Sequence, residues 1–194
     1  MIDSKKKYLQ YLNDDKKALN INNSSFYFKI TNFLIPGSIW KFQKLLRKLE
    51  YHHNCKNFGI NKIYYFYLKY KFRKLSIKLG FSIPINVFGP GLAIVHYGTI
   101  VINRNTKVGK NCRIHACTNI GASGGSQKAP QIGDNVYIGP GAKIYGDIII
   151  ANNCTISANA VVNKSFLNEN MMIAGIPAKE IKKFDINKII RHLN

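Results

Sequence analysis

From Ile102 to Val162 a branched aliphatic residue recurs at every sixth position, with a single interruption. The hexads begin at Ile102, Val108, Ile114 and Ile120, and resume at Ile132, Ile138, Ile144, Ile150, Ile156 and Val162. Fifth positions are small or β-branched, as at Thr106, Cys112, Val136, Ala142, Cys154 and Ala160. Second positions are often Gly or another short residue, as at Gly109, Gly133, Gly139 and Ser157. Six is even, so a strand returns the same face at each hexad, whereas a helix of 3.6 residues per turn does not. The pattern predicts short strands joined by tight corners. The first-position aliphatic points inward, and Gly or Asn at the second position suits a bend with unusual backbone angles. Three sides close a coil of about eighteen residues, and coils stack as parallel strands about 4.8 Å apart.

This hexapeptide solenoid resembles the left-handed parallel β-helix, an exception to the right-handed crossover rule. The expected fold is mainly β: a left-handed parallel β-helix with an N-terminal α-helical region and a C-terminal helix. Residues 1 to about 30 are polar and poorly patterned, and Pro36-Gly37 marks a turn. Ser38 is placed to cap a helix through Trp40, Phe42, Leu45, Leu46 and Leu49, which recur at helical spacing. A second helix is expected over about 60–79, closed by Gly80. Ile83–Gly91 reads as an irregular first coil, and a helix from about 185 closes the far end. The resulting division is 1–80 basic, aromatic and helical; 81–183 β-helix with a loop at 121–131; and 184–194 cap. Open solenoid ends expose strand edges and call for such caps.

With 194 residues the chain has room for one solenoid and one accessory region. No apolar run reaches the roughly 18 residues of a spanning helix. The N-terminus lacks an apolar export segment, so a cytoplasmic location is expected, with peripheral contact at the inner membrane face as an added option. Cys112 and Cys154 share the fifth hexad position two coils apart, roughly 10 Å, beyond the reach of about 7 Å for a disulfide. They read as small core residues. The net charge of +20 is concentrated in residues 1–80, which carry 17 Lys and Arg against 4 Asp and Glu. Such a surface suits anionic lipid, nucleic acid or an acidic glycan, or is merely a solvated lysine-rich region. Nucleic-acid binding rests on charge alone, with no recognisable motif.

Two features carry chemistry. Counting hexads backwards from Ile102 places His96 in an aliphatic slot, so it is either displaced to a corner or buried with a partner. A hydrogen-bonded structural histidine is the simpler reading of that residue alone. The break between Ile120 and Ile132 is a Gly/Ser-rich loop, Gly121 to Gln131, suited to cover a ligand on a neighbouring face. His115 lies about one coil beyond His96, so the two can share an edge.

The run from His96 through Ile100-Val101-Ile102, the Gly-rich loop, Ile138-Gly139-Pro140-Gly141-Ala142-Lys143-Ile144 and the ending Ala174-Gly175-Ile176-Pro177-Ala178-Lys179 together resemble the serine acetyltransferase branch of hexapeptide-repeat acyltransferases. The resemblance covers about 81–183 and extends to polysaccharide O-acetyltransferases. It implies acetyl-CoA as co-substrate, no metal, and a homotrimer with active sites between subunits. His96 falls at the catalytic histidine and would be a general base. His115, Tyr97 and Lys128 are candidates for the acceptor site. Gly121, Gly139, Pro140, Ser157, Ala158, Asn163, Lys164, Lys179 and Lys182 fall where relatives hold CoA, the lysines suiting its phosphates.

The chain also departs from that branch. Its acidic residue before the histidine is replaced by Val95, and the upstream acid would fall near Phe81 or Ser82. The Arg-His-Pro run of the loop becomes Lys128-Ala129-Pro130. These changes remove the serine-binding features while keeping those for acetyl transfer. The expectation is therefore an acetyl-CoA-dependent O-acetyltransferase acting on a sugar hydroxyl, in capsule, O-antigen or exopolysaccharide synthesis. Serine O-acetylation is the alternative, and a basic glycan-binding scaffold the non-enzymatic one. A zinc enzyme needs three metal histidines, and His52, His53, His96, His115 and His192 lack the required spacing.

Overall fold

The computed structural model describes residues 1–21, 38–56 and 58–193. The expected turn at Pro36-Gly37 lies outside them. Helices α1 (Lys5–Ala18), α2 (Ser38–Cys55) and α3 (Asn61–Leu79) precede fourteen short strands. Helix α3 ends at Gly80 in the left-handed region, φ 77°, which a side chain at that position would resist. Helix α1 falls where the sequence reading found no pattern. Its buried face is Tyr11, Asp15 and Ala18, spaced for a helix but with a charge in the middle.

The strands form three sheets. Sheet I holds β1 (Phe81–Ser82), β3 (Ile100–Ile102), β6 (Thr118–Gly121), β9 (Lys143–Tyr145) and β12 (Val161–Val162). Sheet II holds β4 (Lys107–Val108), β7 (Gln131–Ile132) and β10 (Ile149–Ile150). Sheet III holds β2 (Ala93–Ile94), β5 (Arg113–Ile114), β8 (Tyr137–Ile138), β11 (Thr155–Ile156), β13 (Met171–Gly175) and β14 (Ala178–Lys183). All pairings are parallel except β13–β14, an antiparallel hairpin that turns sheet III back at the far end. The chain visits the sheets in the order I, II, III, so each coil is a triangle and each hexad a side.

The ten hexad aliphatics are the axis of the core, each at most 4 % exposed. Burying one such side chain contributes about 1.5–3 kcal/mol. The corner chemistry differs from expectation. Positive φ falls at the fourth hexad position, in Asn111, Asn135, Asn153 and Asn159, and not at the second. Asn111, Asn135 and Asn153 stack at the corner between sheets II and III, the amides of the first two each donating to the next side-chain oxygen at 2.8 Å. Second-position glycines serve close approach instead. A Cβ at Gly139 would lie 2.7 Å from the Ala158 nitrogen of the next coil. All four cysteines are free thiols, with Cys112 and Cys154 buried as expected. Beyond β14 the expected helix is replaced by two single 3-10 turns, Ile186–Lys188 and Arg191–Leu193. Ile186 in the first turn and Ile190 just before the second are buried.

The helices dock onto the first coil through Phe42 and Leu46, both fully buried, and through Arg47. The Arg47 guanidinium is also fully buried and uses all five donors. Nε and Nη2 reach the two oxygens of Asp15 (2.8 and 3.1 Å), Nη1 reaches Glu50 (3.0 Å) and the Phe88 carbonyl (2.9 Å), and Nη2 reaches the Gly89 carbonyl (2.6 Å). Asp15 in turn accepts from the Leu92 amide at 2.9 Å.

Candidate active site

Register fixes where His96 stands. Ile94 pairs with Ile114 and Ile102 with Ile120, so eight positions separate the first two aliphatics where six separate the second. Ile94, fully buried, takes the inward slot. The backward hexad count to His96 is therefore corrected: two extra residues swell this corner between sheets III and I, and His96 and Tyr97 stand exposed on it.

The swollen corner is held from both sides. Gly98 donates its amide to the Leu79 carbonyl (2.9 Å) and Ile100 to the Gly80 carbonyl (3.1 Å), which anchors the corner to the end of α3. On the other side, β2 pairs with β5 alone, leaving one backbone edge open. The buried Gln43 of α2 fills it: its amide nitrogen donates to the Leu92 carbonyl (2.7 Å) and its oxygen accepts from the Ile94 amide (3.3 Å). A side chain thus replaces the missing strand two residues before His96.

The His96 ring lies 5.7 Å from that of His115, and His115 lies 5.2 Å from Tyr137 edge-on. His115 is half-buried, and burial, then the charges of Arg113 and His96, hold its pKa below the usual histidine value. Burial raises the Tyr137 hydroxyl, with Arg113 opposing. None of the described ion pairs involves His96. The positions marked for carboxylates hold Val95, half-buried, and Phe81, packed edge-on against Phe42 at 4.9 Å, beside the exposed Ser82.

Below His96 the same edge carries Ala116, Pro140, Ala158 and Gly175 in successive coils. Gly141 donates to the Ala116 carbonyl (3.0 Å) and Asn159 to the Pro140 carbonyl (2.9 Å). Of the residues expected at CoA, Gly139, Pro140, Ser157 and Ala158 share this edge, and Lys179 and Lys182 lie exposed on β14 at its foot. Gly121, Asn163 and Lys164 lie on the other edge of sheet I, where the chain turns to sheet II. The Gly-rich loop leaves from that second edge, with Ala129 buried and Lys128 exposed and paired to Asp147 at 2.7 Å. One protomer therefore brings His115 and Tyr97 to His96 but keeps Lys128 across sheet I. Sequence reasoning missed Gln43, Arg113 and Tyr137. Outward positions of a hexad carry no periodic signal, and Gln43 sits far away in a helix. Among the described residues, no three His, Cys, Asp or Glu gather as a metal site. No described helix is long and apolar enough to cross a membrane.

The sequence model named "Bacterial transferase hexapeptide (six repeats)" matches residues 129–164. Over these residues the chain is similar to the hexapeptide-repeat transferases. Over 100 residues the chain is 36% identical to the serine acetyltransferase of Mycobacterium tuberculosis, covering 50% of the chain and 43% of that relative. Over 110 residues it is 36% identical to the Staphylococcus xylosus enzyme of the same name, covering 55% and 50%. It thus spans about half the length of the curated relatives it matches. A serine acetyltransferase structure in complex with cysteine superposes over 98% of this chain and 72% of its own, with TM-score 0.71 and 21% identity. That from Brucella abortus in complex with coenzyme A covers 93% and 70%, with TM-score 0.68 and 22% identity. These likenesses identify the three-sheet prism as the left-handed β-helix. They lend no support to the expected resemblance to polysaccharide O-acetyltransferases.

Proposed function

We propose that this protein transfers an acetyl group from acetyl-CoA to a hydroxyl, with His96 as general base. The observation that carries the reading is the swollen corner. It lifts His96 out of the core at the head of an edge of small residues that ends in two free-standing lysines. Imidazole suits the work because its ordinary pKa lies near neutrality. His96 would take the acceptor proton as the hydroxyl oxygen attacks, and return it to the departing thiolate. Backbone amides of the Gly-rich loop are candidates to hold the developing oxyanion. Acetyl-CoA supplies the activated thioester. Pro140 and Ala158 leave room for its arm, and Lys179 and Lys182 suit its phosphates. Gly121, Asn163 and Lys164 can join them only from a second prism, so a homotrimer with shared sites fits the division of these residues between two edges.

The named relatives favour serine as acceptor over the sugar expected from the sequence. The second reading, a sugar hydroxyl, is favoured by Val95, Phe81 and Ala129, which leave no carboxylate or loop histidine to bind an amino acid. On that reading the exposed Ile63, Phe66 and Tyr70 of the basic helix α3 suit peripheral contact with a membrane carrying a lipid-linked acceptor. The test is acetyl transfer to L-serine and to sugar acceptors by the wild type and His96→Ala. The variant is expected to lose about 10²–10⁴-fold in turnover while acetyl-CoA binding is unchanged. Undiminished turnover would remove His96 from this role.

A further inference from the structure

The outer face of sheet III carries a cavity of about 520 Å³ beside the His96 corner. Its walls come from the end of α1, from β5 and β8, and from the C-terminal 3-10 turns. Lys17, Arg113 and Lys188 line it with His115, Tyr137 and His192, and among the described residues no carboxylate does. None of the three cations belongs to a described ion pair. Arg113 is half-buried on β5, and none of the described hydrogen bonds uses its guanidinium, so its five donors are open to a ligand. Arg113 also lowers the pKa of His115 and of His192, second in each case to burial, with Asp14 opposing at His192. Both shifts favour the uncharged imidazole, beside the half-buried Arg113 and the exposed Lys17 and Lys188.

We infer that this cavity binds the phosphate group of a phosphorylated, hydroxyl-bearing acceptor and presents the hydroxyl to His96. Three cations lining one cavity, one of them a planar fork, match a phosphoryl dianion. The volume falls in the range of about 300–1,000 Å³ that houses drug-sized ligands, far more than one small amino acid fills. His115 is the link: it lines the cavity, and its ring packs 5.7 Å from that of His96. The inference rests on the acetyl-transfer reading and separates its two acceptors.

The experiment titrates the full chain with a hexose 1-phosphate, the parent hexose and L-serine by calorimetry, in wild type, Arg113→Gln, Lys188→Ala and His96→Ala. Acetyl-CoA binding is measured in parallel. The phosphorylated sugar is expected to bind well above the other two, to lose about tenfold in each cation variant, and to bind His96→Ala unchanged. Acetyl-CoA affinity should survive Arg113→Gln, which separates this cavity from any phosphate subsite for CoA. Lys188→Ala is an exposed change and keeps the test sound should Arg113→Gln fail to fold. Equal binding of phosphorylated and neutral sugar, or binding untouched by Lys188→Ala and Arg113→Gln, overturns the inference. Phosphate-dependent binding in a protein that never binds acetyl-CoA would sustain the cavity and defeat the transferase reading alone.

Discussion

Arg47 Nε stands 2.8 Å from Asp15 Oδ2 with both side chains fully buried, and this pair locks α1 and α2 onto the first coil. Removing one member leaves charges stranded in the core. Arg47→Met is expected to cost about 3–5 kcal/mol, read as a lower urea midpoint. The double variant Arg47→Met/Asp15→Asn should lose less than the sum of its parts, because the stranded charge goes with its partner.

Gln43 acts as a surrogate strand for β2. Gln43→Leu would orphan the Leu92 carbonyl and the Ile94 amide, at about 1–3 kcal/mol per unsatisfied group. Hydrogen exchange at the Ile94 amide should quicken by at least an order of magnitude relative to Ile114. Equal protection at both amides would show that the edge does not need the side chain.

The second-position glycines separate space from backbone conformation. Gly139→Ala sets a Cβ 2.7 Å from backbone of the next coil and is expected to destabilise by about 1–3 kcal/mol. Gly121→Ala meets only the Asn119 side chain at 3.4 Å and should change the melting temperature little.

Acid should loosen the fold through His115 and His192. Both are held below the ordinary value of 6.5, so between the folded and unfolded values the unfolded chain binds more protons. Their contribution is complete above 6.5 and is lost as pH falls through the lower folded values. The urea midpoint should therefore drop on acidification, and drop less in His115→Asn. Arg113→Gln should move both imidazole titrations upward, observable by NMR.

The hexads made the prism legible because its core is one-dimensional: each aliphatic need only face inward, and all ten do. The helix expected over about 60–79 runs Asn61–Leu79, and its stop was marked by Gly80. Helix α1 was hidden because its buried face centres on Asp15, whose partner Arg47 lies thirty-two positions away. The tail was misjudged because Ile186 and Ile190, four positions apart, are buried by short 3-10 turns without a full helix. At the site, His96 was found by a register that did not continue through it, since the two extra residues leave no mark in the aliphatic count. The wall around Arg113 joins residues from positions 17 to 192, and no local pattern announces such a meeting.

The swollen corner at His96 has a consequence for how such a protein can change. Coils are keyed to one another through the paired strands β2 and β3, and His96 and Tyr97, looped between them, belong to neither pairing. Length and chemistry there can vary while the column beneath stays in step, so new acceptors can be explored without re-inventing the scaffold. Catalytic novelty and structural persistence are written in different letters of the same repeat.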